Sequence, residues 1–151
     1  MKTPIITKLH VPAIINAASH LKQKGQLAMS KNNLLYLDID DTYIHKLFPL
    51  LHDYQVKMPD YFGEKSVGAH ITAIYPEEGR DINKEDLSIE HNFSIKNLVF
   101  TEIGPKTYYI LLVDSPSLLQ LRRKYSLPDL LCFKGYSIGF HITIGVSHEK
   151  N

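Results

Sequence analysis

A chain of 151 residues with one cysteine and a formal net charge of +1 has room for one core and no internal disulfide. The balanced charge excludes a broad basic surface for long nucleic acid, although a cleft for a short or cyclic nucleotide needs only a few local charges. No apolar run approaches the ~20 residues of a membrane span. Met1-Lys2-Thr3-Pro4 does not read as a signal peptide, so a cytoplasmic monomer with no membrane partner is expected.

Pro12 to Lys24 is expected to form a first helix. Pro12 suits the first helical position, Ile14, Ala18 and Leu21 recur at helical spacing, and Gly25 suits the stop. Leu34 to Ile39 reads as a strand. Asp40 or Asp41 then caps a helix running to about Asp53, with Ile44, Leu47, Phe48 and Leu51 on its buried stripe. A loop marked by Pro59 and Gly63 leads to a strand around His70, which Tyr75-Pro76 ends. Glu77 to His91 is polar and reads as a solvated connector with room for one helical turn. Phe93 to Ile103 and Thr107 to Val113 form a hairpin around Gly104-Pro105. Ser115-Pro116 opens a helix carrying Leu118, Leu121 and Tyr125, which Pro128 ends. A strand around His141 closes the fold, and the tail from Ser147 is expected to fray.

One phrase occurs twice. Gly68-Ala69-His70-Ile71-Thr72-Ala73-Ile74 and Gly139-Phe140-His141-Ile142-Thr143-Ile144-Gly145 each set a His-x-Thr in an apolar, β-branched run. Eight His and seven Thr in this length give about 0.4 chance matches, so one copy means little and two in matching settings mean more. Strand residues two apart share a face, so His70 lies with Thr72, and His141 with Thr143. The opposite faces, Ala69, Ile71 and Ala73, and Phe140, Ile142, Ile144 and Val146, are core material.

The surroundings repeat as well. Leu35-Tyr36-Leu37-Asp38-Ile39-Asp40, a helix, a loop and His70 match Tyr109-Ile110-Leu111-Leu112-Val113-Asp114, a helix, a loop and His141. Asp40 precedes His70 by 30 positions, and Asp114 precedes His141 by 27. Two similar lobes are expected, about 1–76 and 92–151, joined by the connector 77–91 within a single domain 1–151. If they face each other, both His-Thr faces line one cleft.

Two imidazoles across a cleft suit acid-base catalysis on a phosphodiester. A neutral His takes a proton from the attacking water or hydroxyl, and a protonated His gives one to the departing oxygen. Thr72 and Thr143 donate to non-bridging phosphate oxygens. The chemistry needs no metal, and no cofactor is expected. A lone inward His beside a Thr is more often a hydrogen-bonded core residue; the pairing separates this chain from that case.

Two His-x-Thr motifs on strands, separated by a helix-containing stretch, resemble the signature of the 2H phosphoesterase superfamily. That superfamily includes the RNA 2′,3′-cyclic phosphodiesterases once called 2′-5′ RNA ligases. The phrase Gly-Ala-His-Ile-Thr-x-x-Tyr is most similar to a small-protein branch linked to RNA processing. The resemblance implies an α+β, bilobal, pseudo-symmetric fold, with antiparallel sheets backed by helices around a central cleft. It carries over to His70 and His141 as catalytic residues and to Thr72 and Thr143 as phosphate-binding residues. It implies a nucleotide or short-oligonucleotide substrate, with a cyclic phosphate among the candidates. Gly145-Val146-Ser147-His148 stands where the bacterial RNA enzymes carry an Arg, a departure that bears on the substrate more than on the chemistry. Tyr75, Lys134 and Tyr136 are candidate substrate contacts because they lie close to the motifs.

Two other readings stand beside it. Asp38-Ile39-Asp40-Asp41-Thr42 after an apolar strand resembles the nucleophile motif of Mg²⁺-dependent haloacid-dehalogenase-type phosphatases, with Asp38 and Asp40 as the reacting pair. That chemistry also needs a later acidic pair, and only Asp114 follows an apolar strand. The same cleft could instead bind a nucleotide without turning it over. His45 and His52 lie seven apart on the expected second helix and lack further zinc ligands. Cys132 is expected to be a small buried residue.

Overall fold

The computed structural model describes residues 2–60 and 66–148, with the side chains of residues 52–54 outside the description. In chain order the elements are β1 (Ile6–Lys8), α1 (Pro12–Ser19), β2 (Lys24–Met29), β3 (Leu35–Asp38), α2 (Thr42–His45), β4 (His70–Ile74), β5 (Glu90–Asn92), β6 (Ser94–Ile103), β7 (Lys106–Asp114), α3 (Pro116–Lys124), β8 (Leu131–Phe133), β9 (Tyr136–Ile138) and β10 (His141–His148). Short 3₁₀ turns span Phe48–Tyr54, Pro76–Glu78 and Lys84–Asp86.

Two four-stranded antiparallel sheets carry the fold, in the orders β4-β3-β2-β5 and β1-β6-β7-β10, and β8-β9 is a separate hairpin. The strand alternation places Leu35, Leu37, Ile71, Leu98, Leu111 and Ile142 in one shared core, with Ile14 of α1 and Ile44 of α2. This is the α+β arrangement of antiparallel sheets and helices expected from the sequence.

The helices differ from expectation for local reasons. α1 stops at Ser19, whose hydroxyl donates to the Asn16 carbonyl. Gly25 is not its stop: it lies in β2, where an added Cβ would sit 2.2 Å from the Asp38 carbonyl oxygen. The long second helix is instead the single turn α2 and a 3₁₀ turn that is non-helical at Leu51. Pro49 lacks an N–H to donate to the carbonyl four residues earlier, so a continuous α-helix loses a bond there, and the run goes on only as a 3₁₀ turn. Ile44, Leu47 and Leu51 are nevertheless fully buried, so the apolar stripe survives the break. α3 starts as expected: Ser115 Oγ accepts from Leu118 N and donates to the Asn92 carbonyl at 2.7 Å. Arg122, Arg123 and Lys124 fill its last turn, where positive charge suits the helix dipole.

The connector is not merely solvated. β5 pairs with β2, and Asp86 and His91 are buried. The Asp86 carboxylate accepts from Lys124 Nζ and Tyr125 OH, and His91 Nδ1 lies 2.8 Å from Ser117 Oγ. α3 and its C-cap Tyr125 supply these partners, which a charge count along the connector cannot show.

The strands also cross the expected division of the chain. β1 joins the sheet of β6, β7 and β10, and β5 joins that of β2, β3 and β4. α1 contacts β6, α2 contacts β10, and α3 contacts β4 and β5. β10 stays paired with β7 through His148 instead of fraying at Ser147. Gly63 and residues 149–151 lie outside the described residues.

Candidate active site

β4 and β10 are the edge strands of their two sheets and lie against each other. Each begins at its motif histidine. In the first sheet His70 is opposite Asp38 and Thr72 opposite Tyr36; the register then slips by one, and Ile74 faces Leu35. In the second, His141 is opposite Leu112 and Thr143 opposite Ile110; the same slip puts Gly145 opposite Tyr109. Both strands therefore carry a bulge on the residue after the threonine, Ala73 and Ile144. The sequence repeat is thus matched position by position, from Leu35 with Tyr109 to Asp38 with Leu112. The bulge also takes Val146 out of the simple alternation, and it is half-buried. A Cβ at Gly145 would lie 2.9 Å from Leu51 Cδ1, so a side chain there fits only if the buried Leu51 shifts.

Ile71 and Ile142 are fully buried, so the pleat turns both His-Thr pairs the other way. His70, Thr72, His141 and Thr143 all line one cavity of about 350 Å³. Each imidazole is held from behind by the backbone two residues earlier. His70 Nδ1 lies 2.9 Å from the Gly68 carbonyl oxygen, and His141 Nδ1 lies 2.8 Å from that of Gly139. A carbonyl only accepts, so Nδ1 carries the proton and Nε2 is the basic atom of each neutral ring. The Tyr36 ring meets His70 edge-on, with centroids 5.9 Å apart.

The turn into the first motif has its own anchor. Gly68 has φ +73°, and a Cβ on it would meet Asp41 Oδ1 at 2.6 Å. That same oxygen accepts from Ala69 N at 3.0 Å. Asp41 therefore fixes the approach to His70, whereas Asp40 does the capping by accepting from Thr42 N and Oγ1. The sequence offered both aspartates as caps and did not separate these tasks.

Both imidazoles are held below their usual pKa. For His70 burial is the cause, opposed by the bond to Gly68. His141 is drawn down to about 4, first by burial, then against the pull of Gly139, and further by the charge of His70. A proton on one ring disfavours a proton on the other, so the two rings titrate together.

The remaining wall is largely apolar and aromatic. The Tyr75 and Phe133 ring centroids are 5.0 Å apart, and Tyr108 meets Phe133 edge-on at 5.8 Å. All three line the cavity, with Ser30, Asn32 and Ser66 adding polar groups. Among the described lining residues there is no lysine or arginine. Of the candidate contacts, Tyr75 is on this wall, but Lys134 and Tyr136 are not. Lys134 and Gly135, with φ +49° and +84°, form the two-residue turn of the β8-β9 hairpin. That turn leaves Lys134 exposed, its Nζ 5.3 Å from the Phe133 ring centroid. Tyr136 lines a separate cavity with Lys2 and Phe100. Nearness in sequence misled here because the hairpin turns between Phe133 and these residues. Phe133 and Tyr108 escaped notice; Tyr108 was readable only as two residues from Ile110, once β7 is known to pair with β10.

Asp38 and Asp40 line a different, open groove with Lys22, Lys24, Gln26 and Glu90. Burial raises the Asp38 carboxyl, and the Asp41 charge adds to it. Cys132 is half-buried, with Sγ 3.6 Å from Glu77 Oε2, and is not an apolar core residue. His45 is exposed at the end of α2, and the His52 side chain lies outside the described residues. Among the described residues no three His, Cys, Asp or Glu gather as a metal site, and no helix is long and apolar enough to cross a membrane.

A family model described as 2H-SAK: Swiss Army Knife, 2H phosphoesterase domain, matches residues 35–151. The match starts at β3 and includes both His-x-Thr strands. Neither a curated protein nor a solved structure matches the chain.

Proposed function

The chain belongs to the 2H phosphoesterases, in the family described as Swiss Army Knife, and on that premise we propose that it hydrolyses a cyclic phosphate or a short or cyclic oligonucleotide by two-histidine acid-base catalysis. The observation that carries this reading is the meeting of both His-x-Thr pairs on one cavity, with each Nδ1 bonded to a carbonyl behind it. The phosphorus sits between the two imidazoles. Nε2 of the neutral ring takes a proton from water as its oxygen bonds to phosphorus. Nε2–H of the protonated ring gives its proton to the oxygen that leaves. Thr72 and Thr143 donate their hydroxyl protons to the non-bridging oxygens, where charge grows in the transition state. The two strands are near-equivalent, so the way round the phosphodiester binds sets which histidine is acid and which is base.

The wall supports a substrate with one reacting phosphate and a flat ring. A single phosphodiester anion is balanced by one imidazolium, and it also favours that second proton on the coupled pair. Tyr75, Phe133 and Tyr108 offer aromatic faces and edges to a base.

The test is a panel of 2′,3′-cyclic nucleotides, 2′-5′ oligoadenylate and cyclic oligonucleotides, with EDTA present, against wild type, His70→Ala and His141→Ala. Wild type is expected to cleave at least one compound, and each variant to lose about 10²-fold or more in rate. Turnover that survives in both variants overturns the acid-base assignment. Saturable binding of a panel member with no cleavage would make the chain a nucleotide-binding module.

A further inference from the structure

We propose that the buried Arg122–Glu78 pair is a positioning device for the cavity, holding Tyr75 and Phe133 packed against each other so that together they form the aromatic wall on which the flat ring of the substrate rests. The proposal rests on the functional reading above, because it takes these rings to touch substrate. Neither Arg122 nor Glu78 lines the cavity; both act through the residues they hold.

The side chains of Arg122 and Glu78 are 0% and 3% exposed. All five guanidinium N–H groups are used. Nε donates to Pro128 O at 2.8 Å, and Nη1 to Ala73 O and Glu78 Oε1, both at 2.9 Å. Nη2 donates to Glu78 Oε2 at 2.7 Å and Leu130 O at 2.9 Å. Ala73 is the bulged residue directly after Thr72. Pro128 and Leu130 lie in the segment that leads into β8. One fork therefore ties the first motif strand to the hairpin that carries Phe133.

Glu78 completes the link. Its Oε1 also accepts from Tyr75 N at 3.0 Å, and its Oε2 from Cys132 N at 3.3 Å. Glu77 Oε1 accepts from Lys134 N at 3.0 Å. The backbone N–H groups on both sides of Phe133 are thus held by consecutive glutamates, in a 3₁₀ turn that starts just after Tyr75. A buried ion pair is by itself weak evidence for stability, since desolvation offsets much of its attraction. What calls for arginine here is shape: carbonyls from separate segments and one carboxylate around a single planar fork. At the corresponding bulge of β10, Gly145 lies instead against Leu51 and Val56, an apolar contact.

Cys132 is the only cysteine in the chain, so its thiol reports the β8 anchor without reference to catalysis. The experiment compares wild type, Glu78→Gln, Arg122→Lys and the remote core variant Ile14→Ala. It measures thermal stability, KM and kcat for whichever panel compound wild type cleaves, and the rate of Cys132 labelling by 5,5′-dithiobis(2-nitrobenzoate). Glu78→Gln is expected to raise KM about 10-fold, with kcat within about 3-fold, and to speed labelling about 10-fold. Ile14→Ala, at a similar loss of melting temperature, is expected to change neither. Arg122→Lys keeps the charge but offers three donors for five acceptor contacts, and it gives the same readouts if Glu78→Gln does not fold. KM and labelling that follow melting temperature alike in all variants overturn the proposal. If wild type cleaves nothing, the functional reading fails separately; labelling then decides the clamp, acceleration supporting it and no acceleration removing it.

Discussion

A histidine that must both accept and donate a proton needs a defined tautomer, and here the backbone supplies it. The carbonyls of Gly68 and Gly139 take the Nδ1 proton and leave Nε2 for chemistry. Because both rings are held below the usual pKa, the free enzyme should have its kcat/KM optimum below about pH 6.5. The bound phosphodiester anion favours the protonated ring, so the kcat optimum should lie higher. A kcat/KM optimum at or above pH 8 would contradict the assignment. The same shifts weaken the fold in acid. The unfolded chain takes up protons below about pH 6.5 that the native histidines resist. Melting temperature should therefore fall from pH 6.5 toward pH 4, and fall less in His141→Asn. Thr72→Val and Thr143→Val keep shape and remove a donor; each should lower kcat about 10²-fold in the panel assay with little change in melting temperature.

Strands and turns translate these residues into positions. The two motif strands share a bulge after the threonine, and at Gly145 the chain passes close enough to Leu51 that an added Cβ would make Leu51 shift. Gly145→Ala should cost about 1–3 kcal/mol in urea unfolding. Gly139→Ala should cost much less, since the nearest atom to an added Cβ is Leu130 Cδ2 at 3.9 Å. Ser115→Ala should cost about 1 kcal/mol, through loss of the cap on α3. Element order and the motif strands were legible because β-branched alternation, prolines and a serine cap act locally. The second helix was misread through neglect of Pro49, which is also a local signal. β1, β2, β5, β8 and β9 were missed for another reason: these strands have at most six residues, and what defines them is the partner strand.

On the scale of the molecule, each sheet takes a strand from the other half of the chain, and the helices cross over in the same way. Neither half encloses a core alone. Fragments 1–80 and 81–151 should each remain largely unfolded by circular dichroism and regain native signal when refolded together. The intact chain should unfold in one transition, coincident in far- and near-ultraviolet dichroism. Two separate transitions would show instead that the halves are independent units.

The amino-acid sequence by itself determined the repeat and the two His-x-Thr strands, and it suggested the acid-base chemistry proposed for them. Those follow from side-chain type and a spacing of two, which a strand converts directly into a shared face. Only the tertiary structure decided which aromatic rings wall the cavity, that Lys134 and Tyr136 stand apart from it, and that Glu78 is buried on Arg122. Those outcomes rest on contacts between residues far apart in the chain, 44 positions for Arg122 with Glu78 and 57 for Lys134 with Glu77. They are set by how the sheets meet, which no local pattern encodes.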